Sequence, residues 1–197
     1  MHRKIGVACM TFGIILLIAA MGLLAYNRWD NWRAGQAVAD IQDALEETGE
    51  ENSAFDDGSS GDGGMDTIEV DGYEYIGTLS IPNFGLELPV MAEWSYPGLK
   101  VAPGRYSGSA WTDDMVLCGH NYDRHFGNLK NLEAGDAVTF TDVHGNVFEY
   151  RVKEIIILAP TDVEEMLDQS ADEWDLTMFT CTIGGQTRVT VRCVRTE

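Results

Sequence analysis

The chain has 197 residues, 45% of them hydrophobic, and a formal net charge of −19 from 32 acidic and 13 basic side chains. That length suits one folded domain with some chain left for an anchor and a linker, and the apolar share excludes disorder throughout. The acidity excludes nucleic acid as a partner, because phosphate binding needs clustered Lys and Arg, and it argues equally against a surface that clings to anionic headgroups.

Residues 5–26, IGVACMTFGIILLIAAMGLLAY, carry no charge. As a helix rising about 1.5 Å per residue, they would cross a hydrocarbon core about 30 Å thick. Arg3 and Lys4 precede the run, Arg28 and Arg33 follow it, and Trp29 and Trp32 stand where an aromatic belt meets the headgroups. Ala19 and Ala20 leave a cleaved signal peptide as the alternative, but the run is long for one and no A-x-A site closes it. Residues 1–33 are read as a cytoplasmic tip and an uncleaved signal-anchor, placing the protein at the cell membrane with a single pass and its folded domain outside. Val38, Ile41 and Leu45 recur at helical spacing and predict a short helix over 34–47. The stretch 49–64, GEENSAFDDGSSGDGG, predicts a flexible, self-repelling linker. Residues 34–66 thus join the anchor to a domain over 67–197.

Within that domain short apolar runs alternate with turns. Strands are predicted at 75–80, 86–91, 115–118, 137–141, 147–157, 176–181 and 188–194. Gly145 serves a hairpin turn over 142–146, and Gly184 with Gly185 serves the turn between the last two strands. A helix is predicted over 162–172, with Thr161 as its cap and Glu164 three residues on. Many short strands with one or two helices predict a mainly β fold, a closed barrel rather than a parallel α/β sheet.

Cys9 falls in the apolar run, which leaves Cys118, Cys181 and Cys193 in the domain. No pair shows C-x-x-C spacing and the histidines form no metal motif, so neither a metal nor a cofactor is expected. Alternation places Cys118 and Cys193 on different sheet faces, which disfavours a disulfide between them. In LTMFTCTIGGQTRVTVR, residues 176–192, a strand ends on Thr180 and Cys181, a Gly-rich hairpin comes next, and Arg188 opens the last strand. The hairpin puts Arg188 beside Cys181, where a guanidinium favours thiolate and can hold an oxyanion. Residues 115–118 run into Gly119 and His120, whose imidazole can exchange a proton with that thiol. Taken singly, each has a plainer reading: a buried small Cys, a His in a turn, a solvated strand Arg. His125 and His144, in a polar loop and a turn, are read as solvent-exposed. Acidic residues Glu164, Glu165, Asp168, Asp172 and Glu173 read as a solvated helix face rather than a calcium site.

Four ordered segments resemble the sortase family. GTLSIPNFGLELPV (77–90) is similar to its opening strands, and GRYSGS (104–109) with LCGHN (117–121) to its approach to the catalytic His. FGNLKNLEAGD (126–136) is similar to the family's segment just beyond that His, and residues 176–192 to its Cys and Arg strands. The resemblance implies an eight-stranded β-barrel and a cysteine transpeptidase, with surface proteins or pilins bearing an LPxTG-like sorting signal as partners. It implies Cys181 as nucleophile, His120 as general acid and then base, Arg188 as oxyanion and motif holder, and Thr180 as support at the substrate-binding site. The thioester would pass to an amine of a peptidoglycan precursor or a pilin lysine. Class features conflict. The 161–175 stretch lacks the long class B insertion, neither a D-P-[FWY] lid nor a hydrophobic segment after residue 197 supports class C, and Asn121 is reminiscent of class B.

A hydrolytic cysteine protease and a catalytically silent surface-binding barrel are the competing readings. Amine dependence separates the first, and the intact His120, Cys181 and Arg188 count against the second. Arg192 shares the sheet face of Arg188 but lies roughly 14 Å further along the strand. It is therefore expected not to touch the reacting carbonyl and to tolerate Lys. Arg195 has the opposite parity and should point away.

Overall fold

The computed structural model describes residues 10–30, 32–33, 38, 41, 65–167, 174–182 and 184–196. The chain divides into two compact units, Met1–Arg33 and Ala34–Glu197. The first contains helix α1 (Met10–Asp30), whose 21 residues are long and apolar enough to cross a membrane by length and composition. Most of the helix predicted over 34–47 lies outside the described residues, as does the whole linker over 49–64. Val38 and Ile41 are described, helical and buried.

The second unit is built from β1 (Ile68–Val70), β2 (Tyr73–Ile81), β3 (Leu86–Met91), β4 (Gly104–Ser107), β5 (Met115–Gly119), β6 (Ala137–Asp142), β7 (Val147–Leu158), β8 (Leu176–Cys181) and β9 (Arg188–Arg195), with helix α2 (Val163–Leu167) between β7 and β8. Hydrogen bonding orders the strands β1-β2-β3-β4-β5-β8-β9-β7-β6, and β6 pairs again with β2. Since β1 joins only β2, the other eight strands close into a barrel, as expected. The β3–β4 and β5–β8 pairs are parallel and the remainder antiparallel.

Closure depends on a residue without a side chain. Gly77 pairs with Val90 of β3 and with Asp142 of β6, at a bulge and with φ near +150°. A Cβ there would lie 2.1 Å from the Thr141 carbonyl oxygen, so only Gly lets the two strand backbones meet.

The strands that carry the candidate site are buried on both faces. Met115, Leu117, Leu176, Met178, Val189, Val191 and Cys193 point into the barrel core. Val116, Cys118 and Phe179 point outward, into a second cluster with Leu158, Met166, Trp94 and Tyr106. Two-sided burial explains why MVLC and LTMF read as continuous apolar runs rather than alternating ones. β7 alternates through Phe148, Tyr150 and Val152, then a bulge between Val152 and Glu154 resets it, so Ile156 and Leu158 face outward.

Several expectations need adjustment. Patterning does not predict β1 or β4, because one is three residues long and the other is the polar GRYS. α2 is described over Val163–Leu167, while the rest of the predicted helix to 172 lies outside the described residues, as do Asp168, Asp172 and Glu173 of the acidic face. The Thr161 hydroxyl donates to Asp162 Oδ1 rather than capping a helix amide. The first helical bond runs from Met166 N–H to Asp162 O, so Asp162 stands at the helix start. The 142–146 turn is as expected: Asp142 Oδ1 accepts from the His144 and Asn146 amides, with Gly145 at φ 82°.

Candidate active site

β8 and β9 meet at one end of the barrel, with Cys181 and Arg188 as register partners. Their connection is tied by the Thr182 amide donating to Thr187 O at 2.9 Å and the Thr187 amide to Thr182 Oγ1 at 3.1 Å. Gly184 and Gly185 both adopt positive φ within it, as the hairpin reading requires. Arg188 Nη1 donates to Gly185 O at 3.1 Å and Thr187 O at 3.2 Å, which holds the guanidinium at the strand end.

β5 runs parallel to β8, pairing Gly119 with Thr180, so His120 lies one step beyond that pair. By alternation His120 shares the outward face with Cys118, Phe179 and Cys181. The Thr180 hydroxyl, only 3% exposed, donates to Gly119 O at 2.9 Å and fastens the two strand ends together. Gly119 has no alternative residue here, because a Cβ would meet the Phe126 ring at 2.6 Å.

His120 is held on two sides. The Asn121 amide donates to Nδ1 at 3.1 Å, and the Tyr122 ring stacks on the imidazole at 4.2 Å with 3° between planes. Sequence reasoning singles out neither neighbour as a holder of His120, although both come directly after it in the chain. His125 corrects an expectation: it is fully buried, with Tyr122 edge-on at 5.4 Å. The loop folds back because Phe126 N–H donates to His120 O and Gly127 N–H to Tyr122 O, and this turns His125 inward despite its polar neighbours. His144 is exposed as expected and pairs with Asp66 at 2.7 Å.

The three described thiols are free. Cys181 is exposed, whereas Cys193 lies in the core and Cys118 on the opposite face, which agrees with the strand parity. Burial pushes the Cys118 pKa up to about 12 and raises that of Cys193 as well. Beside the site, aromatic rings line the outward face. Trp94 stacks on Tyr106 at 5.7 Å, and Tyr106 meets Phe179 edge-on at 5.5 Å. Among the described residues no group of three His, Cys, Asp or Glu side chains is placed to hold a metal.

An exposed thiol, an imidazole and a guanidinium therefore sit at one sheet end, above an apolar floor. The family model described as Sortase domain matches residues 79–196, a span that includes all three. The chain belongs to the sortase family. Sortase A of Bacillus anthracis is 29% identical over 117 residues, covering 57% of this chain and 54% of that protein, so the chain spans about half the length of that curated relative. Among solved structures, sortase C1 from Streptococcus suis superposes with a TM-score of 0.54 at 28% identity, over 64% of this chain and 74% of that one. A pilus-related Sortase C of Group B Streptococcus gives 0.57 at 26% identity, over 66% and 70%. The closed barrel is thus the sortase fold, and its matched span begins inside β2 and ends just past β9.

Proposed function

We propose that this sortase is a cysteine transpeptidase acting on an LPxTG-like sorting signal, with Cys181, His120 and Arg188 as its catalytic groups. The observation that carries the reading is the Cys181–Arg188 register pair with His120 one step past Gly119–Thr180. The Cys181 thiolate attacks a backbone carbonyl of the signal, forming a C–S bond and a tetrahedral oxyanion. Arg188 donates to that oxyanion, since its Nη2 and Nε take no protein acceptor among the described residues. His120, holding the proton given up by the Cys181 thiol, passes it to the departing amine as the C–N bond breaks, leaving a thioester and a neutral imidazole. An incoming amine then gives its proton to His120, attacks the thioester and returns the thiolate. Thr180 keeps the two strand ends in register at the substrate-binding site.

The similarity to a pilus-related Sortase C supports a pilin lysine as one acceptor, and an amine of a peptidoglycan precursor is the other that the family resemblance implies. The test is turnover of an LPxTG-containing peptide by the detergent-solubilised chain, with and without added hydroxylamine. Product should form faster with the amine, and a trapped acyl adduct should map to Cys181. Cys181→Ala and His120→Ala should be inactive, and Arg188→Lys should lose at least ~100-fold in kcat/KM, the usual cost of an oxyanion donor. Turnover in Cys181→Ala would sink the mechanism. Amine-independent peptide release would make the chain a hydrolytic protease instead.

A further inference from the structure

Arg192 lies on β9, paired with Thr177 of β8 and facing outward like Arg188. Strand parity alone makes it a distant charge, but it is only 6% exposed. Its Nη1 donates to Glu154 Oε1 at 2.7 Å, and its Nη2 to the Glu165 carbonyl at 2.6 Å. Its guanidinium carbon lies 3.9 Å from the centroid of the Trp174 ring. One side chain thus grips α2 by its backbone and Trp174 by its face, at the two described ends of the β7–β8 connection. That connection brings Met166 and Leu167 into the outward apolar cluster with Cys118, Phe179 and Leu158. The position of α2 therefore sets one wall of the floor that leads to Cys181.

We propose that Arg192 is a positioning residue that fixes this wall and so sets the affinity for the sorting peptide; the substrate half of the inference rests on the transpeptidase reading above. Arg192 is four positions along the strand from Arg188, roughly 14 Å, so it cannot reach the reacting carbonyl. Nor is it placed for maximal stability. Its Nε is buried with no hydrogen-bond partner among the described residues, as are the hydroxyls of Thr177 and Thr190. A buried ion pair with an unmet donor is commonly no better than a well-packed apolar side chain. The Glu154 side chain is 41% exposed and can be solvated by water once the pair is lost. What a Met at this position would lack is the planar fork that bonds a carboxylate and a carbonyl while stacking on an indole.

The test compares Arg192→Met, Arg192→Lys and Trp174→Leu in the full chain. In Arg192→Met, amide exchange over α2 should quicken about tenfold while β8 and β9 stay protected, the scale expected for loss of one charge-assisted hydrogen bond. KM for the sorting peptide should rise by about tenfold, with kcat and the rate of Cys181 alkylation by iodoacetamide within about twofold. Arg192→Lys should recover part of the KM, and Trp174→Leu should reproduce part of the loss. Equal falls in kcat, alkylation rate and melting temperature would mark a merely structural residue and overturn the proposal. So would unchanged exchange in both Arg192→Met and Trp174→Leu. Faster exchange with an unchanged KM would overturn the substrate role while leaving the clamp. If the wild-type chain turns over no sorting peptide, the function reading fails, and the exchange data still decide the clamp. Should Arg192→Met not fold, Trp174→Leu carries both readouts.

Discussion

Cys118 and Cys181 face the same side of the sheet, yet their surroundings give them opposite chemistry. Cys181 ends its strand exposed, whereas Cys118 is 4% exposed with its Sγ 3.5 Å from Gly104 O. Desolvation disfavours a thiolate at Cys118 and pushes its pKa up to about 12, and the neighbouring Cys181 adds a smaller push in the same direction. At pH 8 such a thiol is ionised to about one part in ten thousand, so it is a poor nucleophile even where a reagent reaches it. Iodoacetamide at pH 8 should therefore add a single adduct within residues 65–196 of the folded chain, at Cys181. Cys118 and Cys193 should react only in denaturant, which peptide mapping by mass will read. Rapid modification of Cys118 in the folded chain would mean that the outward cluster does not shield it.

Elements decide where such residues end up, and the barrel's closure gives the sharpest case. At Gly77 an added methyl would meet both a positive φ and the Thr141 carbonyl 2.1 Å away. Gly72, in the β1–β2 turn, also has positive φ but nothing within 4 Å. Gly77→Ala should thus cost about 3 kcal/mol or more in urea unfolding, whereas Gly72→Ala should cost only about 1 kcal/mol. Similar losses in the two variants would show that the β2–β6 backbones do not meet tightly at Gly77. The same contrast shows what local patterning can and cannot reveal. Strand ends, turn glycines and parity are written in residues close together, so the Cys181–Arg188 pairing and the opposed faces of Cys118 and Cys193 are legible in the sequence. β1, three residues long, is not legible in the same way. Burial of Arg192 is not legible, because its partners Glu154 and Glu165 lie 38 and 27 residues away in sequence. Nor is that of His125, whose N-Y-D-R-H neighbourhood spells a surface loop until backbone bonds to His120 and Tyr122 fold it inward.

At the scale of the whole molecule the apolar unit and the barrel present very different surfaces. α1 holds 21 residues, and its large side chains such as Ile15, Leu17 and Leu24 are more than 60% exposed, which is unfavourable in water and favourable in lipid. At about 1.5 Å per residue it spans about 31 Å, matching a hydrocarbon core of about 30 Å. Tyr26 and Trp29 pack with ring centroids 6.2 Å apart, and the Arg33 guanidinium lies 5.7 Å from the Trp29 ring, an arrangement suited to the headgroup level. Arg3 and Lys4 before the run favour a cytoplasmic N-terminus, which would put residues 65–197 outside. A sorting signal and its amine acceptor would meet Cys181 on that side of the membrane. Protease added to intact protoplasts should then remove the barrel and leave a membrane-bound N-terminal fragment, while lysis should expose nothing further. A barrel that resists protease until lysis would reverse the orientation. A mature N-terminus found just after Ala20 would show that the apolar run is a cleaved signal, and that the barrel is released rather than anchored.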